Sequence, residues 1–578
     1  MSFEGGVDSG RVSTIASEGM PYGLRRNQLA FLTNGTVRGG GISPRFGWIK
    51  LVSGAPWSGL YQSGFTYEQL NGNPYLVLSI GGRIFNVRVD EDNRIEETTI
   101  PGDANPPLVD QGFMEQGEQF LIIQAGDFTT LPLFWDGTTL RRSVGLNVPA
   151  AQRELPPAGP MDYFMGRLWY AVGRTYTAGD IVNGPSGTPG PPYMKRDSIL
   201  KVTENPLAIG GDGFIVPTQS GNIRALKYSS NLDTQLGQGS LFVFTRKAIY
   251  ATDPPVTRAE WITSTEPLQR VAQNRYGSYN DRSVVSVNGD LFYQSTDGIR
   301  SLFVAIRDFQ QWGNTPISRN ENRVLVFNDR SLMRFSSGIE FDNRLLQTVL
   351  PTQTPVGVAF QGIVPLDFDL ISSLGDKLPP AWEGMWEGLD VLQLFEGDFG
   401  GLQRAFAVVV SRLTGEIEVW ELTLANLFEQ DDNRIQWQVE WPSFTWDQPF
   451  MLKQLHGAEL WIDRLFGTVN FYLYYRNDQN PCYQFWHAWK ECAARDCLED
   501  ELNPCDPTEY PEQPYCSQYR ATMSLPEPPH SCDATNGRPT NFGYQFQVKL
   551  VVRGSCRVRG MLLHAHPIES APFRDLVC

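Results

Sequence analysis

Histidines and cysteines are the side chains of this protein that most readily bind a transition metal. His564 and His566 are separated by one residue on a predicted strand, so both side chains point to the same side, where such a pair can hold a metal ion. Two ligands do not make a site, and no third is placed among the other histidines, His456, His487 and His530. We therefore predict an ordinary strand pair, with no metal site and no cofactor.

Cysteine use is uneven along the chain. All eight cysteines lie between Cys482 and Cys578, and none forms the C-x-x-C pair that zinc ribbons and knuckles use. Disulfides, free thiols and zinc remain open alternatives, and disulfides would fit a protein that ends its life outside a cell. Because the first 481 residues contain no cysteine, the chain is expected to change domain near residue 445.

Carboxylates are numerous, and a pair placed about 5 to 9.5 Å apart would make a glycoside hydrolase. Three that stand out, Asp136, Asp297 and Asp329, occupy predicted hairpin turns, where Asp is the expected residue type. The sequence contains no G-x-S-x-G elbow, no phosphate-binding G-x-x-x-x-G-K-[ST] loop and no D-x-D-x-D-G calcium loop. We therefore name no catalytic residue and predict that the protein is not an enzyme.

The charge balance is acidic, with 64 Asp and Glu against 48 Lys and Arg, a formal net charge of −16. Tight binding to nucleic acid depends on Lys and Arg contacts to phosphate, so this balance disfavours it while allowing DNA to slide past. The doublets Arg25-Arg26 and Arg141-Arg142 are isolated and are expected to form salt bridges. No stretch of about 20 apolar residues predicts a membrane span, and the first residues do not resemble a signal peptide, so we expect folding in a cytosol.

A recurring pattern of strand, tight turn and strand is the strongest structural signal. The composition, 12% aromatic with 55 Gly and 40 Pro, suits many short strands and turns. The clearest repeats of the pattern are residues 75–87, 241–250, 291–303 and 405–420, and further strands are predicted at 119–124, 167–172, 198–202, 323–327 and 331–335. Isolated hairpins are marginally stable, so an array of them is expected to close around an axis as an all-β, irregular β-propeller of six or seven blades.

Three regions follow from these patterns. Residues 1–50 are predicted to be an extended arm that completes a neighbouring sheet, and residues 51–444 to be the propeller, with long insertions at 175–192 and 351–403 that we expect to contact partners. Residues 445–578 are predicted to be a cysteine-containing domain resembling a β-sandwich, with strands at 459–463, 468–475, 544–552 and 557–566. Residues 485–492 read as one or two helical turns.

The combination resembles the tail nozzle and hub proteins of short-tailed bacteriophages. The resemblance covers roughly 400 residues and rests on the general character of the sequence, not on a diagnostic motif; it is carried by the stretches 27–40, 44–48, 133–140, 241–250 and 290–299. It provides no catalytic residue and no interface motif that maps onto this chain. The cysteine-rich final region is not expected of every member.

The resemblance implies a virion structural protein, assembled in the host cytoplasm, that forms a homo-oligomeric ring, hexameric by preference. Such a ring would bind the portal or its adaptor and the tail fibres or spikes, and would conduct and gate the phage DNA during ejection without binding it tightly. Ring closure requires a heterologous interface between copies. The alternative is a propeller at a cell or virion surface that binds or degrades glycans.

Overall fold

The computed structural model describes residues 6–9, 24, 28–51, 57–69, 72, 74–89, 95–99, 108–182, 189–190, 194–204, 213–229, 239–264, 269–272, 276–302, 316–369, 380–399, 401–423, 428–429, 433–478, 480–492, 520–529 and 539–568. These residues form many small antiparallel sheets with short helical turns between them, which confirms the all-β prediction. No helix among the described residues has both the length and the apolar character needed to cross a bilayer.

The described part of the N-terminal arm contributes strands to two different sheets. Its strands are β1 (Phe31–Thr33), β2 (Gly35–Thr36), β3 (Ser43–Pro44) and β4 (Trp48–Lys50). Strand β1 pairs with residues 438–440, whereas β4 pairs with residues 420–422. The prediction that the arm completes a neighbouring sheet is thereby confirmed, and the arm ties two distant parts of the chain together.

The next part of the chain forms five sheets of three or four strands, each built on a hairpin. We call these sheets blades. The first blade contains β5 (Tyr61–Tyr67), β6 (Tyr75–Ile80), β7 (Arg83–Val89) and β8 (Ile95–Thr99), and the second contains β9 (Phe113–Gly117), β10 (Phe120–Gln124), β11 (Leu133–Trp135) and β12 (Leu140–Arg142). The third blade contains β13 (Met161–Phe164), β14 (Arg167–Val172), β15 (Thr175–Ala178) and β18 (Phe214–Ile215); the separate hairpin β16 (Pro189–Gly190) and β17 (Met194–Lys195) lies between β15 and β18 in the chain. The fourth blade contains β19 (Ile223–Ser229), β20 (Ser240–Thr245), β21 (Ile249–Thr252) and β22 (Gln269–Ala272), and the fifth contains β23 (Val285–Val287), β24 (Asp290–Ser295) and β25 (Gly298–Ser301). At the β6–β7 turn, Gly81 and Gly82 have φ values of 59° and 72°, a backbone that glycine adopts without strain.

An eight-stranded sheet completes the ring of blades. Its strands are β26 (Gly338–Phe341), β27 (Arg344–Thr354), β28 (Gly357–Asp367), β29 (Ala381–Trp382), β30 (Trp386–Phe399), β31 (Leu402–Val410) and β32 (Ile417–Leu422), with β4 from the arm at the edge. Strand β26 contacts β23 of the fifth sheet, and β30 contacts β5 of the first. The ring therefore closes through a strand from the N-terminal arm.

Seven strands, β5, β9, β13, β19, β23, β26 and β30, line a common central cavity in the described part of the chain. Each belongs to a hairpin unit, and the last two units share the eight-stranded sheet. This arrangement confirms the irregular β-propeller, with seven inner strands around the axis. Apolar side chains fill the spaces between neighbouring blades; Trp135 of the second blade, for example, donates its indole hydrogen bond to the Tyr75 hydroxyl of the first at 2.9 Å.

A second large sheet follows the propeller. Its strands are β35 (Gln436–Glu440), β36 (Lys453–Asn477), β37 (Gln484–Cys492), β38 (Arg520–Leu525), β39 (Phe542–Gly543) and β40 (Phe546–Pro567), with β1 from the arm at one edge; the short hairpin β33 (Phe428–Glu429) and β34 (Asn433–Arg434) precedes it. We refer to this seven-stranded sheet as the second sheet; it is distinct from the second blade, which contains β9–β12. Its core includes Phe471, Leu473, Val548 and Leu550, all of which are fully buried.

The four strands predicted in this region merge into two long strands. Residues 459–463 and 468–475 both lie in β36, and residues 546–552 and 557–566 both lie in β40. The two strands pair along their whole lengths, with shifts of register near Asp463 and Phe466 where they bend. The sheet also begins before the predicted boundary at residue 445, because β35 and β1 belong to it.

Three local predictions also differ from the structure. The insertion at 351–403 consists largely of strands β27, β28, β30 and β31, since its alternation of apolar and polar residues is the period of a long strand. The 175–192 insertion begins as strand β15, whereas 183–188 and 191–192 lie outside the described residues. Residues 485–492 form strand β37, in which Trp486 points inward.

Two predicted strands are helical instead. The region predicted as strands 323–327 and 331–335 begins with helix α1 (Asn322–Leu325), which contacts β27. The helix buries Val324 in a core cluster that β27, β28 and the second sheet share, and Phe327 after the helix is exposed. Residues 198–202 fall mostly in a 3-10 helix, where Ile199 and Leu200 are both fully buried, as consecutive residues of a half-exposed strand would not be. The 3-10 helices are Ala150–Gln152, Arg196–Leu200, Thr218–Ser220, Arg258–Thr263, Ile317–Glu321 and Met333–Phe335.

Candidate interaction surface and axial cavity

The histidines that sequence analysis singled out lie on the surface of the second sheet. His564 Nε2 lies 3.1 Å from the Glu459 carboxylate, and the His566 ring packs against the ring of His456 at 4.9 Å between centroids. His487 stacks on Trp489, and His530 lies outside the described residues. In the described ranges, no three His, Cys, Asp or Glu side chains are arranged to hold a metal ion.

The described cysteines are few. Cys482 is exposed and Cys556 is buried, and both are free thiols. Burial raises the pKa of the Cys556 thiol far above its ordinary value, so this thiol stays protonated. The side chain of Cys492 and the residues Cys497, Cys505, Cys516, Cys532 and Cys578 lie outside the described part, so the question of disulfides stays open.

Asp136 and Arg141 have the predicted contacts, whereas Arg142 donates a hydrogen bond to the Leu131 carbonyl at 2.7 Å. Asp136 accepts hydrogen bonds from the backbone N–H groups of Thr138 and Thr139, which stabilises its hairpin turn. Arg141 forms a double hydrogen bond with Glu154 at 2.9 and 3.0 Å, a salt bridge between strand β12 and the segment that precedes strand β13. Arg25 and Arg26 lie outside the described residues.

The axial cavity, with a volume of about 550 Å³, lies at the centre of the propeller, where inner strands converge. Its lining includes five acidic residues, Glu68, Glu115, Asp162, Asp281 and Glu396, and two basic residues, Lys227 and Arg282. Lys227 Nζ lies 3.8 Å from Glu115 Oε2 and 3.9 Å from Asp162 Oδ1. The carboxylates of two blades thus meet at one cation supplied by a third.

These carboxylates do not ionise independently. Burial raises the pKa of Glu115 to about 8 and that of Asp162 to about 6, although Lys227 opposes both shifts. Burial and the nearby Glu340 raise the pKa of Glu396 to about 8. For Lys227, burial lowers the pKa, but Glu115 and Asp162 outweigh this effect and the net shift is upward, so the ammonium group stays charged. Near neutral pH the cavity therefore combines a charged Lys227 with partly protonated acids.

The outer face of the second sheet carries exposed rings and cations in a regular grid. On strands β37, β36 and β40, residues directly opposite each other share a face, which defines three rows. We call these nine residues the aromatic–cationic face: Phe485, Tyr474 and Lys549 in the first row; Ala488, Tyr472 and Val551 in the second; and Lys490, Asn470 and Arg553 in the third.

The rings and cations of this face contact one another. The Tyr474 and Phe485 rings meet edge to face at 5.8 Å, and Lys549 Nζ lies 5.3 Å from the centre of the Tyr474 ring. Tyr472 is 40% exposed and Phe485 is 51% exposed, so both present apolar surface to solvent. Lys490, Lys549 and Arg553 form no ion pair within the described ranges, and none of the nine residues is acidic.

Neither the aromatic–cationic face nor the axial cavity is predicted from the sequence. The alternation of Asn470, Tyr472 and Tyr474 was visible as the polar face of one strand, but their neighbours lie up to 83 residues away and only the strand register brings them together. In the axial cavity, the available signal was a charged residue within the first strand of several hairpin units, at Glu115, Asp162 and Lys227.

The propeller and the second sheet are connected by a contact in which the carboxylate is buried and the guanidinium is partly exposed. Arg323 of helix α1 donates two hydrogen bonds to Glu440 of β35, at 2.9 and 3.2 Å, and its guanidinium packs on the Phe31 ring of β1 at 4.4 Å. A second link lies at the bend of β36, where Asp463 accepts hydrogen bonds from Arg557 at 2.6 and 2.7 Å and Arg557 also donates to the Gly39 carbonyl of the arm. The arm, the propeller and the second sheet therefore form one connected body.

Comparisons with known proteins give no name to this arrangement. No family model matches the chain, and no curated protein matches it. The chain is similar to a solved complex of BBS1N with ARL6DN, with 11% identity and a TM-score of 0.36, over 66% of this chain and 99% of that one. It is also similar to a protein from Lactobacillus plantarum, with 11% identity and a TM-score of 0.31, over 63% of this chain and 97% of that one. A third similar structure is a quinonprotein alcohol dehydrogenase-like protein from Bacteroides thetaiotaomicron, with 12% identity and a TM-score of 0.30, over 56% of this chain and 66% of that one. Such distant likeness carries no conclusion about function, and the propeller assignment rests on the sheet topology itself.

Proposed function

We propose that the protein is a structural subunit of the tail of a short-tailed bacteriophage, a nozzle or hub component that assembles into a ring, hexameric by preference. The ring would surround a channel for the genome and would bind the portal or its adaptor on one side and fibres or spikes on the other. Assembly would take place in the host cytoplasm and the mature protein would be part of the virion. The proposal extends the resemblance drawn from the sequence.

The supporting observation is where the protein exposes its aromatic rings. Among the described residues, six aromatic side chains are strongly exposed, and four of them, Phe450, Trp461, Tyr472 and Phe485, lie in the second sheet or in the loop that leads into it. Concentrated exposed apolar surface marks protein–protein contact. A rigid propeller that carries such a sheet is suited to assembly with neighbours.

Net charge supports the role of a conduit. With 64 acidic and 48 basic residues, each copy repels the DNA phosphates on average, and a ring of copies multiplies the effect. Electrostatic repulsion keeps a passing duplex from adhering to the wall. The axial cavity of each propeller is crowded by charged side chains, so the proposed channel runs between copies and not through a propeller.

The oligomeric mass tests this proposal. Purified protein at micromolar concentration should give a closed assembly whose mass is a whole multiple of 64.9 kDa in size-exclusion chromatography with light scattering. A protein that remains at 64.9 kDa over the whole concentration range, with or without portal protein, would remove the basis for the ring.

A glycan-degrading propeller is the second candidate, favoured by one observation in the axial cavity. The contacts of Glu115 and Asp162 with Lys227 limit the distance between their carboxylate oxygens to less than about 8 Å, which is below the largest separation that glycoside hydrolases use. Release of reducing ends from capsular polysaccharide or lipopolysaccharide, abolished by Glu115→Gln, would support this candidate. Absence of any release by the wild-type protein would exclude those substrates.

A further inference from the structure

The aromatic–cationic face differs in charge from the chain that carries it. The whole chain has 16 more acidic than basic residues, yet the nine residues of this face include three cations and no acid. On the neighbouring strand β35, Glu440 lies opposite Lys549, but its carboxylate is buried and is neutralised by Arg323. Tyr472 and Phe485 are 40% and 51% exposed between these cations. A surface that combines exposed rings with uncompensated positive charge fits an acidic partner.

We propose that this face is the contact through which one copy of the chain docks onto the acidic surface of the next copy. The inference rests on the proposed function, because it assigns the interface of the ring. Charge complementarity selects the partner: an average surface of this chain is acidic, so a neighbouring copy offers the carboxylates that Lys490, Lys549 and Arg553 lack within the described ranges.

The same charges determine how the copies are arranged. In an isologous dimer, two copies of this face would meet, and the three cations of one would oppose the three cations of the other. Such a juxtaposition of like charges is unfavourable. The face therefore binds a different surface of its neighbour, which is the heterologous contact that a closed ring requires.

The dimensions show which part of an interface the face provides. Three strands about 4.8 Å apart and six residues at about 3.4 Å each span roughly 14 by 20 Å, or about 300 Å². A stable interface buries about 800 Å² on each partner, so the face provides its centre and not its whole extent. Exposed aromatic anchors at the centre of an interface are the residues that contribute most to affinity, which singles out Tyr472 and Phe485.

Two variants test the face directly. Tyr472→Ala/Phe485→Ala removes the rings, and Lys490→Glu/Lys549→Glu/Arg553→Glu reverses the charge. The matched control, Phe327→Ala/Lys247→Glu, removes an exposed ring and a surface cation that both lie outside the second sheet. Mass photometry over a dilution series gives the dissociation constant between copies, and circular dichroism confirms that each variant is folded.

We expect each face variant to raise the dissociation constant at least about tenfold, while the control stays within about twofold of wild type. For the wild type, raising NaCl from 50 to 300 mM should weaken the association, and the charge-reversed variant should lose this dependence. The salt series on the wild type carries the test if a variant fails to fold.

Rings that form equally well from the face variants would overturn the inference and leave the proposed function intact. A wild-type protein that stays monomeric at all concentrations would refute the proposed function, and with it this interface. If the wild type instead binds a single-stranded oligonucleotide or an anionic polysaccharide through Tyr472 and Phe485, with no effect of the face variants on association, the face is a ligand platform and the inference is wrong.

Discussion

Replacing Lys227 by Met should destabilise the propeller in a way that depends on pH. Lys227 supplies the cation between Glu115 and Asp162, and Met has a side chain of similar length without charge. In the variant, each acid keeps its proton to a higher pH in the folded state, so its folded pKa moves further above the unfolded value. A raised folded pKa of an acid leaves stability intact at low pH and removes it as pH rises.

The magnitude follows from the distances. At about 4 Å and an effective dielectric constant near 20, one ion pair contributes roughly 4 kcal/mol. With a pKa of about 8, Glu115 is largely protonated at pH 7, whereas Asp162, with a pKa of about 6, is largely ionised, so the pair with Asp162 dominates. Because the Lys227 side chain is 30% exposed, water screens this pair and a loss of about 3 kcal/mol is expected at pH 8, against about 1 kcal/mol at pH 5.

Urea unfolding followed by tryptophan fluorescence at pH 5, 6, 7 and 8 measures this difference. The control is Lys247→Met, a surface lysine whose loss should change stability by less than about 0.5 kcal/mol at every pH. A loss for Lys227→Met that is the same at pH 5 and pH 8 would refute the electrostatic reasoning and assign Lys227 a packing role.

Three further predictions concern the joints of the molecule. Asp463→Asn should lower the free energy of unfolding by about 3 kcal/mol, because Arg557 and Arg559 lose their shared carboxylate. Burial raises the pKa of Asp463, but the hydrogen bonds from both arginines outweigh burial and hold the pKa below its ordinary value. The wild type therefore loses this stability as pH falls through the folded pKa, and thermal melts from pH 3 to 6 should show an acid dependence that the variant lacks. Gly384→Ala should lower the free energy of unfolding in urea by more than about 3 kcal/mol, since Gly384 has a φ of 78° and a Cβ there would lie 2.0 Å from the Leu32 carbonyl oxygen. The control Gly401→Ala, with a φ of 81° and open space around the Cβ, should lower it by only about 1 kcal/mol. Equal losses in the two variants would contradict the steric explanation. Arg323→Met should speed amide hydrogen exchange in β1 and β35 because the link to Glu440 is lost, and unchanged exchange there would show that the joint does not depend on this ion pair.

The propeller could be predicted from the sequence because its signal is local. Hairpins such as 75–87 and 291–303 carry their strands and turn within about a dozen residues, and each was placed correctly. In the segment 351–403, the strands also form local hairpins, β27–β28 and β30–β31, so the alternation of apolar and polar residues there was a usable strand signal. What no local pattern reveals is long-range pairing, such as that of β4 from the arm with β32.

The aromatic–cationic face and the axial cavity could not be predicted from the sequence, because each is formed by residues that long-range pairing brings together. Tyr472 lies opposite Val551 because β36 and β40 stay paired on both sides of the register shifts near Asp463 and Phe466. Lys227 meets Glu115 only because the fourth and second blades converge on one axis. A helical turn was predicted at 485–492, where neighbouring aromatic residues alternate between the two faces of strand β37.

Cryo-electron microscopy of the purified protein tests the central claim most directly. Class averages viewed down the symmetry axis should show a closed ring, six copies by preference, with an open central channel, and with the second sheet of each copy against its neighbour. A field of separate 64.9 kDa particles, or an open filament without a central channel, would contradict the assignment of this protein to a DNA-conducting tail ring.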